Sequence, residues 1–294
     1  MSALVIALPG SEALAGALAQ VWKAELGTAR IHRFPDEESL VTLDHDVGGR
    51  SVVLVTSLDR PDAKFLPLAF AAGTARDLGA ARVGLVAPYL GYMRQDQRFH
   101  PGEAITARLF ARQLSGVVDW LVTVDPHLHR VNALAEVYAI PAIAAHASPL
   151  LARWIAEHVE RPVLIGPDAE SEQWVSEIAA GAGAPFLVLQ KDRSGDFDVR
   201  VSLPELVGYR NHTPVLVDDI ISTGRTMVAA LQHLAEEGTQ PAVCAGVHAV
   251  FAPGALEALR VAGASRIVTT NTVAHETNAV DVSLLLAQAA KPLV

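Results

Sequence analysis

The chain has 294 residues, 51% of them apolar, with a net charge of −9 and a single cysteine. That is enough apolar material for two cores at ~100–200 residues per domain. The acidic balance excludes a global nucleic-acid footprint and leaves only local patches to attract phosphates, so a small-molecule substrate is expected. The apolar runs all fall short of the ~18 residues of a membrane span. Cys244, inside "AVCAGVHAVF", has no partner for an intrachain disulfide and reads as a buried thiol in a reducing, cytoplasmic setting.

From the start of the chain, "ALVIAL" reads as a strand stopped by Pro9-Gly10, without the basic residues of a secretory signal before it. "SEALAGALAQVWKAEL" follows as a helix, then the strand candidates "ARIHRF" and "SVVLVTS", the helix "KFLPLAFAAGTARDLG" ended by Gly79, and the strands "RVGLVAP" and "DWLVTVD". A second series begins after Ile140-Pro141 with the helix "SPLLARWIAEHVE" and the strands "RPVLIGPD", "APFLVLQK", "FDVRVSL" and "TPVLVDD". It continues with the helix "RTMVAALQHLAEEG", ended by Gly238, and the strands "VCAGVHAVF" and "SRIVTTN". No internal repeat or low-complexity linker interrupts it. This alternation predicts an α/β protein of two similar domains, 1–141 and 142–294, each a mainly parallel sheet flanked by helices. The last helix, "VDVSLLLAQAAK", either stays with the second domain or packs on the first.

The stretch "VLVDDIISTGRTM" carries the strongest chemistry. Asp218 and Asp219 end a strand run, and Ser222, Thr223, Gly224, Arg225 and Thr226 lead into a helix whose positive end suits an anion. Carboxylates beside a phosphate repel it unless they bind a sugar diol or a divalent cation, so a sugar phosphate is the expected ligand, with a plain helix cap as the alternative.

The other polar clusters are weaker by themselves. In "HRFPDEES" Phe34 suits base stacking, and Asp36 and Glu38 suit an exocyclic amine or a neighbouring subunit; a surface turn explains the same letters. In "GYMRQDQRF" Arg94 and Arg98 flank Gln95 and Asp96, fitting a polyphosphate or a solvated loop. "VDPHLHR" sets His127 and His129 two apart, a metal-ligand spacing that lacks the later histidines and aspartates of a metallohydrolase. Asp168 ends the strand "PVLIG", where a carboxylate meets a sugar or Mg²⁺; Lys191 and Arg193 in "LQKDRSG" read either as strand-edge charges or as phosphate ligands. "GAGAP" is not a dinucleotide fingerprint, and no G-x-x-x-x-G-K-[ST] occurs.

"VLVDDIISTGRT" resembles the phosphoribosyl-diphosphate fingerprint of phosphoribosyltransferase-fold proteins. Together with "RFPDEES", "APYLGYMRQDQRF", "VDPHLHR", "GPDAESEQW" and "LVLQKDRSG", in that order, the chain resembles the ribose-phosphate diphosphokinase family over nearly its whole length. The resemblance implies two tandem phosphoribosyltransferase-like domains and transfer of the β,γ-diphosphoryl group of MgATP to ribose 5-phosphate. It places Phe34, Asp36, Glu38, Arg94, Gln95, Asp96, Arg98 and His127 on ATP, and Lys191 and Arg193 on a closing catalytic arm. Asp168, Asp218, Asp219 and Ser222 to Thr226 go to ribose 5-phosphate, His127 and Asp168 also to Mg²⁺, and His129 to local structure. A homo-oligomer is implied. The chain departs from the family pattern at Pro126, at Glu170-Ser171 where glycines are usual, at Ser222 and at Arg225. Those departures keep open a relative acting on another sugar phosphate or nucleotide, and a non-catalytic regulatory subunit is the other alternative.

Overall fold

The computed structural model of the chain describes residues 3–128, 133–168, 171–193, 199–202 and 206–294, with the backbone alone for 190–193, 199–202, 206 and 207. His129 and Glu170 lie outside the described residues, and the side chains of Lys191 and Arg193 lie outside the described side chains. The residues form two units, 1–146 with 282–294, and 147–281.

Uninterrupted aliphatic runs such as "LVIA" and "SVVLV" become strands buried on both faces, as a parallel sheet covered by helices requires. The first unit runs β1 (Ala3–Ala7), α1 (Glu12–Trp22), β2 (Glu25–Arg33), β3 (Ser39–Leu43), β4 (Ser51–Val55), α2 (Pro61–Asp77), β5 (Arg82–Val86), α3 (Thr106–Ser115), β6 (Trp120–Val124) and β7 (Ala142–Ala145). Its sheet has the order β3-β2-β1-β4-β5-β6-β7. All neighbours are parallel except β2 and β3. β2 is longer than "ARIHRF" because its first half pairs in parallel with β1 and its second half forms an antiparallel hairpin with β3. Leu4, Ile6, Leu54 and Leu85 pack against Leu68 and Ala71 of α2 and Phe110 and Leu114 of α3. Because β7 pairs with β6, this unit continues past Pro141 through His146.

The second unit runs α4 (Ser148–His158), β8 (Pro162–Gly166), α5 (Glu172–Ala182), β9 (Phe186–Val188), β10 (Gln190–Arg193), β11 (Val199–Ser202), β12 (Thr213–Ile221), α6 (Arg225–Glu236), β13 (Val243–Ala249), α7 (Ala255–Val261), β14 (Arg266–Thr270) and β15 (Asn278–Val280). Its parallel sheet has the order β15-β14-β13-β12-β8-β9, and β10-β11 forms a separate antiparallel ribbon. Val163, Ile165, Leu216 and Cys244 pack on the apolar stripe Met227, Ala230, Leu231 and Leu234 of α6. Burial pushes the Cys244 thiol up to about 12, which leaves it inert.

The chain then returns to the first unit. α8 (Ser283–Ala290) packs against α1, β6 and β7, and the Trp22 indole N–H donates to the Ala287 carbonyl at 3.0 Å. No helix among the described residues is long and apolar enough to cross a membrane.

Each sheet reverses its winding once. In the first, β1 leads through α1 to β2 on one side and β4 leads through α2 to β5 on the other, so the switch lies between β1 and β4. In the second, β8 leads to β9 and β12 to β13, so the switch lies between β8 and β12. Loops that diverge at the carboxyl ends of such strands leave a crevice, the usual ligand position of open α/β sheets.

Candidate active site

At the switch of the second unit stand Asp168, just past β8, and the pair Asp218-Asp219 on β12. The acidic pair does not end its strand, as the sequence suggested: β12 continues through Ile221 because Ile220 and Ile221 still pair with His248 and Ala249 of β13. The connection to α6 shrinks to Ser222, Thr223 and Gly224, and the helix starts at Arg225 as expected. Gly224 has φ of +67°, a left-handed conformation that a Cβ disfavours, and this tight turn brings the open end of α6 directly behind the strand. N–H groups of the first helical turn have no acceptor within the helix, so they are available to an anion. From behind, the Val250 N–H donates to the Ile221 carbonyl and the Ala252 N–H to that of Ser222, both at 3.1 Å. Thr223 and Arg225 are exposed, while Ser222 and Thr226 are half-buried.

Asp168 is held by the residue three positions on. The Ser171 N–H donates to Asp168 Oδ1 at 3.2 Å, and the Ser171 hydroxyl donates to the Asp168 carbonyl at 2.6 Å. A Cβ on Gly166 would meet that hydroxyl oxygen at 2.8 Å, so the Ser171 side chain is folded inward onto its own turn. The serine that replaces a usual glycine therefore braces Asp168. Lys191 and Arg193 occupy positions on the β10-β11 ribbon opposite Val201 and Val199.

In the first unit, Phe34, Asp36 and Glu38 sit at the tip of the β2-β3 hairpin, all exposed. The Phe34 ring is 42% exposed and meets His32 edge-on at 4.7 Å, while Asp36 accepts the Glu38 N–H at 3.2 Å and shapes the turn. The loop between β5 and α3 carries Arg94 and Gln95 exposed, but Asp96 is only 8% exposed, and the Arg98 guanidinium donates to the Glu103 carbonyl at 2.9 Å. Of the cluster read from "GYMRQDQRF", the structure thus presents Arg94 and Gln95 outward, folds Asp96 inside and ties Arg98 back. His127 is half-buried just past β6. Two residues before it, Asp125 adopts φ of +33° and its Oδ1 lies 3.0 Å from Nδ1 of His146. Nothing in the sequence singled out His146; only the pairing of Val124 with Ala145 brings the residues after β6 and β7 to one level.

Residues 3–117 match the family model described as the N-terminal domain of ribose phosphate pyrophosphokinase, and residues 133–285 match the phosphoribosyl transferase domain. The ribose-phosphate pyrophosphokinase of Methanopyrus kandleri is 34% identical over 99% of both chains. That of Saccharolobus solfataricus is 35% identical over 82% of both. The chain belongs to the ribose-phosphate pyrophosphokinase family. Its fold is that of the phosphoribosylpyrophosphate synthetase from Mycobacterium smegmatis, with a TM-score of 0.85 at 24% identity over 100% of this chain and 99% of the other. Two tandem phosphoribosyltransferase-like units, each with a mainly parallel sheet, are therefore the architecture of this pyrophosphokinase-family chain.

Electrostatics distinguish its acidic pair from a helix cap. Burial and the neighbouring charge of Asp219, with a further contribution from Asp168, hold the Asp218 carboxyl well above the ordinary carboxylate range. A site that strains to ionise is relieved by a cation or by hydroxyl donors. Among the described residues no group of three or more His, Cys, Asp or Glu is arranged to hold a metal alone. Carboxylates that need further oxygens suit Mg²⁺, which keeps several waters and completes its shell with substrate phosphates.

Proposed function

We propose that this chain is a ribose-phosphate diphosphokinase that makes 5-phosphoribosyl 1-diphosphate and AMP from ribose 5-phosphate and MgATP. The observation that carries the reading is the Asp218-Asp219 pair beside the Ser222–Thr226 turn at the switch of the second sheet, in a chain that matches named pyrophosphokinases end to end. The turn amides with Thr223, Arg225 and Thr226 hold the 5-phosphate, and Asp218 and Asp219 accept from the ribose hydroxyls. Phe34 stacks on the base, Asp36 and Glu38 read its edge, and Arg94, Gln95, Asp96 and Arg98 serve the ATP phosphates and the order of their loop. His127 and Asp168 are assigned to magnesium, which when bound neutralises phosphate charge.

In the reaction the anomeric oxygen forms a bond to the β-phosphorus, the bond from that phosphorus to the α–β bridging oxygen breaks, and the bridging oxygen leaves with AMP. The hydroxyl proton passes to an oxygen of the reacting phosphates and reaches solvent when the products leave. Lys191 and Arg193 stabilise charge on the transferring phosphates, and closure of their ribbon excludes water. We place the chain in the cytoplasm as a homo-oligomer.

AMP release from MgATP with and without ribose 5-phosphate tests the reading. Release that needs the sugar, and that falls by about 10²-fold or more in Lys191→Ala, is expected. Sugar-independent or absent release from folded protein would overturn it.

A further inference from the structure

The switch of the first sheet also holds a cavity, of about 410 Å³, and none of the residues assigned to the proposed reaction lines it. Leu8 and Pro9 after β1 and Thr56 after β4 place it where the winding reverses, within the size range of small-molecule sites. Its floor is apolar, with Leu8, Ile31 and Pro67, whereas its polar side is cationic: Arg33 from β2, Arg60 before α2 and Lys64 in the first turns of that helix. Two of these cations are held in place. The Arg33 guanidinium donates to the Ala63 carbonyl at 2.8 Å, and the Lys64 ammonium donates to the Ser57 carbonyl at 2.8 Å and pairs with Asp59. The positive end of α2 adds to the same side. Asp59 offsets Lys64, so the two arginines and the helix end remain to attract an anion.

We propose that this pocket is a second ligand site, taking a small organic phosphate whose apolar body lies on Leu8, Ile31 and Pro67 and whose phosphate meets Arg33, Arg60 and Lys64. The pocket repeats in the first sheet the position that the acidic pair occupies in the second, with the charge sign reversed. A phosphate with an apolar body satisfies both halves of the lining; inorganic phosphate satisfies only the cations, and a neutral aromatic only the floor. The site stands independently of the proposed reaction.

Phenyl phosphate, phenol and inorganic phosphate serve as probes, titrated into the full chain while backbone amide resonances are followed. Phenyl phosphate is expected to shift the amides of Leu8, Thr56 and Ala63 saturably. The other two probes should bind there at least about tenfold more weakly, phenol because it loses the charge-assisted contact and inorganic phosphate because it buries no apolar surface. Arg33→Ala with Arg60→Ala should weaken phenyl phosphate by a similar factor. Should the Arg33 change disturb the hairpin, Arg60→Ala alone, at an exposed side chain, must still weaken it several-fold. Shifts confined to Gly224 and Thr226, undiminished affinity in the variants, or equal binding of inorganic phosphate would each overturn the proposal.

Discussion

Asp218 illustrates how one residue's environment sets a pH response. Its folded-state pKa lies above the unfolded value, so the native state is best stabilised when the carboxyl is protonated and loses stability as pH rises through the raised pKa. Asp218→Asn removes that loss. Without ligand, the variant is expected to melt about 2–4 °C above the parent at pH 8, with the gap closing as pH falls toward the ordinary carboxylate range; calorimetry across pH checks it. Magnesium with ribose 5-phosphate should reverse the order, because the parent's carboxylate then accepts charge-assisted hydrogen bonds that the neutral amide makes more weakly. Ser171 acts at the same scale through geometry. Ser171→Ala leaves the N–H bond to Asp168 Oδ1 and removes both hydroxyl bonds, the one donated to the Asp168 carbonyl and the one accepted from the Asp168 N–H at 3.4 Å, so a loss of about 1–2 kcal/mol is expected in denaturant melts. The serine was visible as a departure from glycine; its inward rotamer was not, since rotamers answer to packing against neighbours such as Gly166.

Elements here approach each other at glycines, and the approach can be tested. On β5, a Cβ at Gly84 would fall 1.9 Å from the ring of Trp120 on β6, whose side chain is fully buried. Gly84→Ala is expected to destabilise the first unit by about 3 kcal/mol or more, read as early loss of amide protection in β5 and β6 while β12 and β13 keep theirs. Gly224 fails differently. Its Cβ would make ordinary contacts with Leu259, so the cost of Gly224→Ala lies in the backbone, about 1 kcal/mol, and falls on the turn from which α6 starts. Short elements were the hardest to read. The four residues of β7 and three of β15 carry too little periodicity to register alone and exist because a neighbouring strand offers hydrogen bonds. α3 buries Ala107, Phe110, Ala111 and Leu114 at helical spacing, but it starts after Ile105 with no capping side chain and no acidic residue in its first turn, so no start signal marks it in the sequence.

Across the whole molecule, the chain leaves the first unit, builds the second and returns. Removing residues 282–294 exposes the faces of α1, β6 and β7 that α8 covers. Such a truncation is expected to lower amide protection in the first unit selectively, leaving β12 and β13 protected; uniform loss in both units would contradict it. The amino-acid sequence by itself determined the α/β class, since strands alternating with amphipathic helices bury their apolar faces as parallel sheets covered by helices, and a length of 294 residues pointed to two such units. It also carried the sugar-phosphate reading proposed for residues 218–226, because two carboxylates, hydroxyls and a glycine before a helix stand in one contiguous stretch. Tertiary structure alone decided that β12 runs through the acidic pair, that Asp125 meets His146 and that α8 belongs to the first unit. The physical reason is that each depends on a partner far away in the chain, and which distant strand or helix supplies that partner is settled by packing.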